Sequence, residues 1–150
     1  RVIRALEIYY TTGVTMTQQI AASKPAEKPY DVLFLATGFN DRAKLYENIE
    51  KRVDIMVDSG VVEEAEYVYK NKDIFINSAA AIGYKEFFPY FDGEQTLQEC
   101  VDELKKASRH YAKRQLTWFN RMKDINWLYV DGDTDYKNIA IELTDKFLNG

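Results

Sequence analysis

Histidine and cysteine are almost missing from this chain, which holds one of each, His110 and Cys100, in 150 residues. A single thiol cannot close an internal disulfide, and one imidazole beside it leaves too few soft ligands for a zinc site. His110 has no metal partner in the sequence, and for Cys100, near the buried face of a helix, a core thiol is the default. Proline is scarce, three in all, two of them at Pro25 and Pro29. No apolar run approaches the ~18 residues of a membrane span, and no signal-peptide pattern is read at the start. Neither a GxxxxGK[ST] phosphate loop nor a GxGxxG dinucleotide fingerprint occurs. The acids are scattered, and no pair of them stands out as a general acid and base. These absences exclude a disulfide-built secreted module, a zinc protein and a nicotinamide oxidoreductase. What remains is a soluble, cytoplasmic globular protein with no complete catalytic apparatus of its own.

What is present is a core-forming composition. Apolar residues make up 46% and aromatic residues 14%, led by 11 Tyr and 8 Phe. A single domain of this length buries roughly 70% of its unfolded surface, so disorder and low complexity are ruled out. The formal charge of −4 is unevenly spread. Residues 101–123 carry seven bases against two acids, a net of +5, while the remaining 13 bases and 22 acids give −9. A cationic stripe on an acidic body predicts a local anion site rather than general affinity for nucleic acid.

The chain begins without Met, in what reads as a helix already under way, and is expected to be a piece of a longer protein. That first helix should stop near Gly13, where a left-handed residue ends it. Residues 14–20 suit a short helical turn, and residues 21–29 are the one linker-like stretch. Residues 31–36 form a continuous apolar run, as expected of a strand buried on both faces of a parallel sheet. An amphipathic helix over 42–59 follows, stopped at Gly60, then a second over 61–69. Residues 78–88 suggest a short helical stretch. Thr96 and Glu99 are spaced as a capping box, opening a long helix to about Lys123 with Leu97, Val101, Leu104, Ser108, Tyr111, Gln115 and Trp118 on its apolar face. A short strand at 127–130 and a closing helix over 134–148 complete the pattern. Two strands separated by several helices look like the back half of an open α/β sheet, one that needs partner strands the chain does not supply.

Three groups of residues could carry function. In the block 113–121, Lys113, Arg114 and Arg121 supply phosphate attraction, Gln115 and Thr117 can hydrogen-bond to bases or sugars, and Trp118 can stack or pack. The bland alternative is a solvated basic helix with Trp118 and Phe119 in the core. Arg1 and Arg4 share one helix face and could straddle a phosphate, or could simply be exposed arginines. Arg42 and Arg52 flank the amphipathic helix, and a guanidinium offers two planar donors to a diphosphate. Pairing with Glu47, Glu50 or Asp54 on the same helix is the alternative. Gly83 before Tyr84 and Lys85 permits a left-handed kink or a close backbone approach.

Taken together, the blocks Arg1–Glu7, Ala81–Glu86 and Tyr111–Phe119 closely resemble the bacterial tRNA dimethylallyltransferases, in the same order and at similar spacing. The resemblance covers essentially the whole chain, but only the C-terminal half of the family's usual length. It implies transfer of a dimethylallyl group from dimethylallyl diphosphate to N6 of adenosine 37 in tRNA. It also implies an α/β fold: residues 29–150 as the helix-rich C-terminal part of a P-loop kinase-like core, residues 1–28 as the end of a helical insertion and a linker. The family uses Mg²⁺, and its phosphate loop and catalytic Asp lie in the other half, so no catalytic residue and no metal ligand is expected here.

Carried over by position, the implied contacts with the tRNA anticodon stem-loop are Arg1, Arg4, Gly83, Tyr84, Lys85, Lys113, Arg114, Gln115, Thr117, Trp118 and Arg121. Ala80 stands where some members have arginine, and Asn120 replaces the block's final base, with Arg121 one residue later. Arg52, ahead of Arg42, is expected to meet the diphosphate. The helical phase of Trp118 leans toward the core, which favours packing for its ring. No membrane partner is expected, and the full-length enzyme is expected to be a monomer. The rival reading is a non-catalytic RNA-binding module that uses the basic helix over 105–123.

Overall fold

The structure, a computed structural model, describes residues 2–23, 30–133 and 135–150. The contact expected at Arg1, residues 24–29 of the expected linker and the expected helix start at Thr134 lie outside them. The chain divides into two compact units, residues 1–33 and 34–150.

The first unit holds α1 (Val2–Thr12) and α2 (Met16–Ser23). Gly13, at φ +72°, closes α1 by donating its amide to the Tyr9 carbonyl at 2.9 Å. Thr15 and Gln18 cap α2 reciprocally: Gln18 Oε1 accepts the Thr15 amide at 2.8 Å and Thr15 Oγ1 accepts the Gln18 amide at 3.3 Å. The second helix continues past Ile20 because Ala21 and Ala22, expected to begin the linker, are good helix formers.

The second unit runs β1 (Phe34–Gly38), α3 (Arg42–Asp58), α4 (Val61–Lys70), α5 (Ile76–Ala79), a 3-10 turn (Lys85–Phe87), α6 (Phe88–Phe91), α7 (Leu97–Phe119), β2 (Ile125–Tyr129) and α8 (Tyr136–Asn149). The two strands pair in parallel, Phe34 opposite Ile125 and Gly38 opposite Tyr129. Asp41 caps α3 by accepting the Ala43 amide at 2.8 Å. The capping box of Thr96 and Glu99 opens α7, and the bonds from Thr96 to Glu99 hold that carboxyl below its ordinary range. The core lies among the helices: Val53 of α3, Val61 and Ala65 of α4, Phe87, and Cys100, Val101 and Leu104 of α7 are all buried together. Burial pushes the Cys100 thiol above its usual pKa.

Several expectations need correction. The first strand lies at 34–38 rather than 31–36, because its partner begins at Ile125 and leaves residues 31–33 nothing to pair with. Its end extends to Gly38, where a β-carbon would stand 2.9 Å from the Trp127 ring, so only glycine lets that ring lie across the backbone. Nor is the strand buried on both faces: Phe34 and Leu35, which point to opposite faces of the described two-stranded sheet, are both exposed. The second strand starts two residues early, at Ile125. The stretch 78–88 is not one helix but a turn between α5 and the 3-10 segment, broken at Gly83, whose φ is +111°. The long helix stops at Phe119, capped by Asn120, short of Lys123.

The apolar face of α7 also departs from the pattern. Leu97, Val101 and Leu104 face the core, but Tyr111, Gln115 and Trp118 are exposed. In the second half the inward stripe passes to Ala112, Leu116 and Phe119, and Phe119 meets Trp127 edge-on at 6.5 Å. The place expected for Trp118 is therefore taken by its neighbour, and the Trp118 ring is 60% exposed.

Candidate functional site

A cleft of about 790 Å³ opens between α3, the Ala80–Lys85 turn and α7. Arg52 enters it from α3, Gly83 and Lys85 from the turn, and Arg114 and Gln115 from α7. Three sequence blocks widely separated along the chain thus meet in one place. The floor is apolar, with Val53, Met56, Ile82 and Leu104.

The free state of Arg52 follows from what its neighbours do. Lys105 Nζ lies 2.6 Å from Asp54 Oδ1, Arg109 pairs with Glu50, and Lys51 Nζ lies 2.6 Å from Glu47 Oε1. The positions three and four residues from Arg52 on its own helix hold Asn48, Ile49, Ile55 and Met56, none of them acidic, and the nearby Asp54, Glu50 and Glu47 are each committed to another cation. The two bridges from Lys105 and Arg109 tie α7 to α3, so two of the seven bases of the stripe serve structure. Among the described residues, no carboxylate lies within 4.0 Å of Arg42, Arg52, Lys113, Arg114 or Arg121. Arg114 sits over the Tyr111 ring, 5.5 Å from its centroid, which orients the guanidinium without neutralising it.

On the adjoining face of α7, Lys113, Arg114, Thr117, Trp118 and Arg121 line a shallower hollow of about 340 Å³. An exposed indole between cations is suited to an unpaired base stacked beside a phosphate chain. Thr117 Oγ1 donates to the Lys113 carbonyl at 2.8 Å, which leaves the hydroxyl oxygen as an acceptor.

The other expected residues lie elsewhere. Arg42 is parted from Arg52 and lines a third hollow, about 190 Å³, with Asn120, Trp127 and Tyr129 at the C-terminal ends of the strands. The Tyr84 side chain packs against the core, and its hydroxyl donates to Glu64 Oε1 at 2.9 Å, which pushes the phenol above its ordinary pKa. Arg4, in the first unit, is exposed and pairs with Glu7 at 3.2 Å.

Two carboxylates escaped sequence reasoning. Asp131, after β2, accepts the amides of Asn40 at 2.9 Å and Asp41 at 2.7 Å, and its carbonyl accepts from Lys44 Nζ at 3.2 Å. It fastens the loop after β2 to the start of α3, and the two amides hold its carboxyl below the usual range. No local spacing links position 131 to 40, so nothing in the sequence could have found the bond. Glu86 accepts the Gly83 amide at 2.9 Å. It spans three residues, as Glu99 does to the Thr96 amide at 2.7 Å, and that spacing was a readable signal.

Among the described residues, no group of three or more His, Cys, Asp and Glu converges to hold a metal ion, and no helix is long and apolar enough to cross a membrane. Residues 1–122 match the family model described as IPP transferase. The chain belongs to the IPP transferase family. The tRNA dimethylallyltransferase of Latilactobacillus sakei is 52% identical over 128 residues, covering 85% of this chain and 39% of that protein. That of Lactobacillus gasseri is 44% identical over 149 residues, 99% of this chain and 47% of the relative. The crystal structure of tRNA delta(2)-isopentenylpyrophosphate transferase from Staphylococcus epidermidis matches with a TM-score of 0.72 at 33% identity, covering 99% of this chain and 48% of that one. A second IPP transferase structure, the full-length tRNA isopentenylpyrophosphate transferase from Bacillus halodurans, gives 0.69 at 38% identity, with 99% and 46% covered. The chain spans about half the length, or less, of these relatives. Its helix-rich α/β architecture with a small parallel sheet is thus one this family shares.

Proposed function

We propose that this chain is the C-terminal part of a cytoplasmic tRNA dimethylallyltransferase with a P-loop kinase-like core, which moves a dimethylallyl group from dimethylallyl diphosphate to N6 of adenosine 37. The carrying observation is the cleft in which the unpaired Arg52 meets Gly83, Lys85, Arg114 and Gln115. In the reaction, the N6 amine attacks the allylic carbon, the bond from that carbon to the diphosphate oxygen breaks, and the amine loses a proton. Charge accumulates on the departing diphosphate, and a guanidinium already aimed into a partly apolar cleft stabilises it without reorganising. The adenine has to leave its stack to reach that point, and Lys85, Arg114 and Gln115 would hold the RNA around it. The outer hollow with Trp118 and Arg121 would take the flanking strand. The Mg²⁺ implied by the resemblance would act in the whole enzyme, held with the diphosphate by the half that carries the family's phosphate loop.

Two measurements test this. The chain alone should bind an anticodon stem-loop in a salt-sensitive way yet transfer no prenyl group. Exchanged for the matching segment of the Latilactobacillus sakei enzyme, it should support transfer of labelled dimethylallyl groups into tRNA. In that chimera Arg52→Ala should lower turnover by roughly 10²-fold, the scale of losing one oriented charge donor. An inactive but folded chimera, or unchanged turnover in Arg52→Ala, counts against the assignment.

A further inference from the structure

Glu86 is an odd residue for its surroundings. Its side chain is only 8% exposed, beside the fully buried Phe87, and a carboxylate in such a place has to be compensated. Its compensation is the Gly83 amide, which donates to Oε2 at 2.9 Å, while Lys85 Nζ lies 3.9 Å from Oε1.

The need for that bond comes from the turn itself. The Tyr84 amide donates to the Ala81 carbonyl at 3.4 Å, so Gly83 occupies the third position of a four-residue turn, where φ +111° calls for glycine. A turn of this kind leaves the amide of its third residue without an internal partner. Gly83 is buried, so that amide has to find an acceptor. Tyr84, bonded to Glu64, anchors the far side of the turn to α4. Between those anchors, Lys85 is half exposed and lines the cleft that Arg52 and Arg114 also line.

We propose that Glu86 is a positioning residue: by accepting the Gly83 amide it holds the left-handed turn, and so presents Lys85 to the ligand in the cleft. This rests on the cleft being the RNA site proposed above. Glu86 itself touches no substrate; it acts through Lys85. What matters is then the reach of the acceptor oxygen rather than the negative charge.

Glutamine keeps the acceptor at the same reach and loses the charge, whereas aspartate keeps the charge and withdraws the oxygen by one methylene. The test uses the 150-residue chain with a labelled anticodon stem-loop as the probe, read by fluorescence anisotropy. Glu86→Gln should bind within about twofold of the parent and Glu86→Asp about fivefold more weakly, the scale of one hydrogen bond. In a Lys85→Ala background the aspartate effect should vanish, which general destabilisation would not produce. Without RNA, exchange of the Gly83 amide, followed by NMR, should quicken in Glu86→Asp and not in Glu86→Gln. Unchanged Gly83 exchange in Glu86→Asp, or an aspartate loss that persists without Lys85, overturns the inference and leaves the RNA reading standing. If Glu86→Asp does not fold, Glu86→Gln still decides: a fivefold loss in that folded variant overturns it. Failure of the unsubstituted chain to bind RNA overturns both.

Discussion

A β-carbon on Gly83 would meet no atom within 4 Å, so alanine there changes the backbone alone. Gly83→Ala should cost about 1–2 kcal/mol by urea titration, the penalty for forcing an L-residue into this region. Asp131 makes a different kind of prediction. Its carboxyl is held below the ordinary range by the Asn40 and Asp41 amides, so the stability it contributes is present above the unfolded-chain value, near ~3.9. That contribution is lost as pH falls through the lower, folded-state pKa. Asp131→Asn should therefore be less stable than the parent at neutral pH, and the gap should close through the acid range when unfolding is followed at successive pH values. The two residues were not equally legible beforehand. The kink at Gly83 could be read from glycine's permissiveness, but the Asp131 bond joins segments about ninety positions apart, and no local rule reaches that far.

The helix α7 carries two jobs along its length, and substitutions should separate them. Lys105→Ala and Arg109→Ala break bridges to α3 and should each cost stability by ~1 kcal/mol or less, the worth of a partly exposed ion pair, seen as a lower melting temperature. Lys113→Ala with Arg114→Ala should leave melting nearly unchanged. It should flatten the salt dependence of stem-loop binding by roughly one unit of slope for each phosphate no longer neutralised. The capping box, the buried first half and the basic second half of this helix were all readable from spacing. Trp118 was not, because the apolar stripe follows whatever neighbour is present. The first half packs on other helices, while the second answers to Trp127, which draws in Phe119 and turns Trp118 outward. Periodicity reports the angle between residues on a helix, not which angle its neighbours occupy.

For the larger unit, stability should be unevenly distributed. Its buried side chains gather among α3, α4 and α7, whereas β1 and β2 form a two-stranded ladder with exposed Phe34 and Leu35. Hydrogen exchange should accordingly find the slowest amides in α7 around Leu104 and much faster ones in the strands. Equal protection in both would mean that the sheet is covered in solution. The sequence pattern was enough to indicate parallel pairing, since apolar runs between helices carry that information. The register was not legible: it sets Trp127 opposite Ala36 with its ring against Gly38, and nothing in the local pattern of either strand encodes that pairing. That same ladder also dictates an order of events during synthesis. Phe34 cannot pair with Ile125 until the whole helical region between them has left the ribosome. Closing so long a loop is entropically late, so the helices between the two strands should condense before β1 and β2 pair with each other.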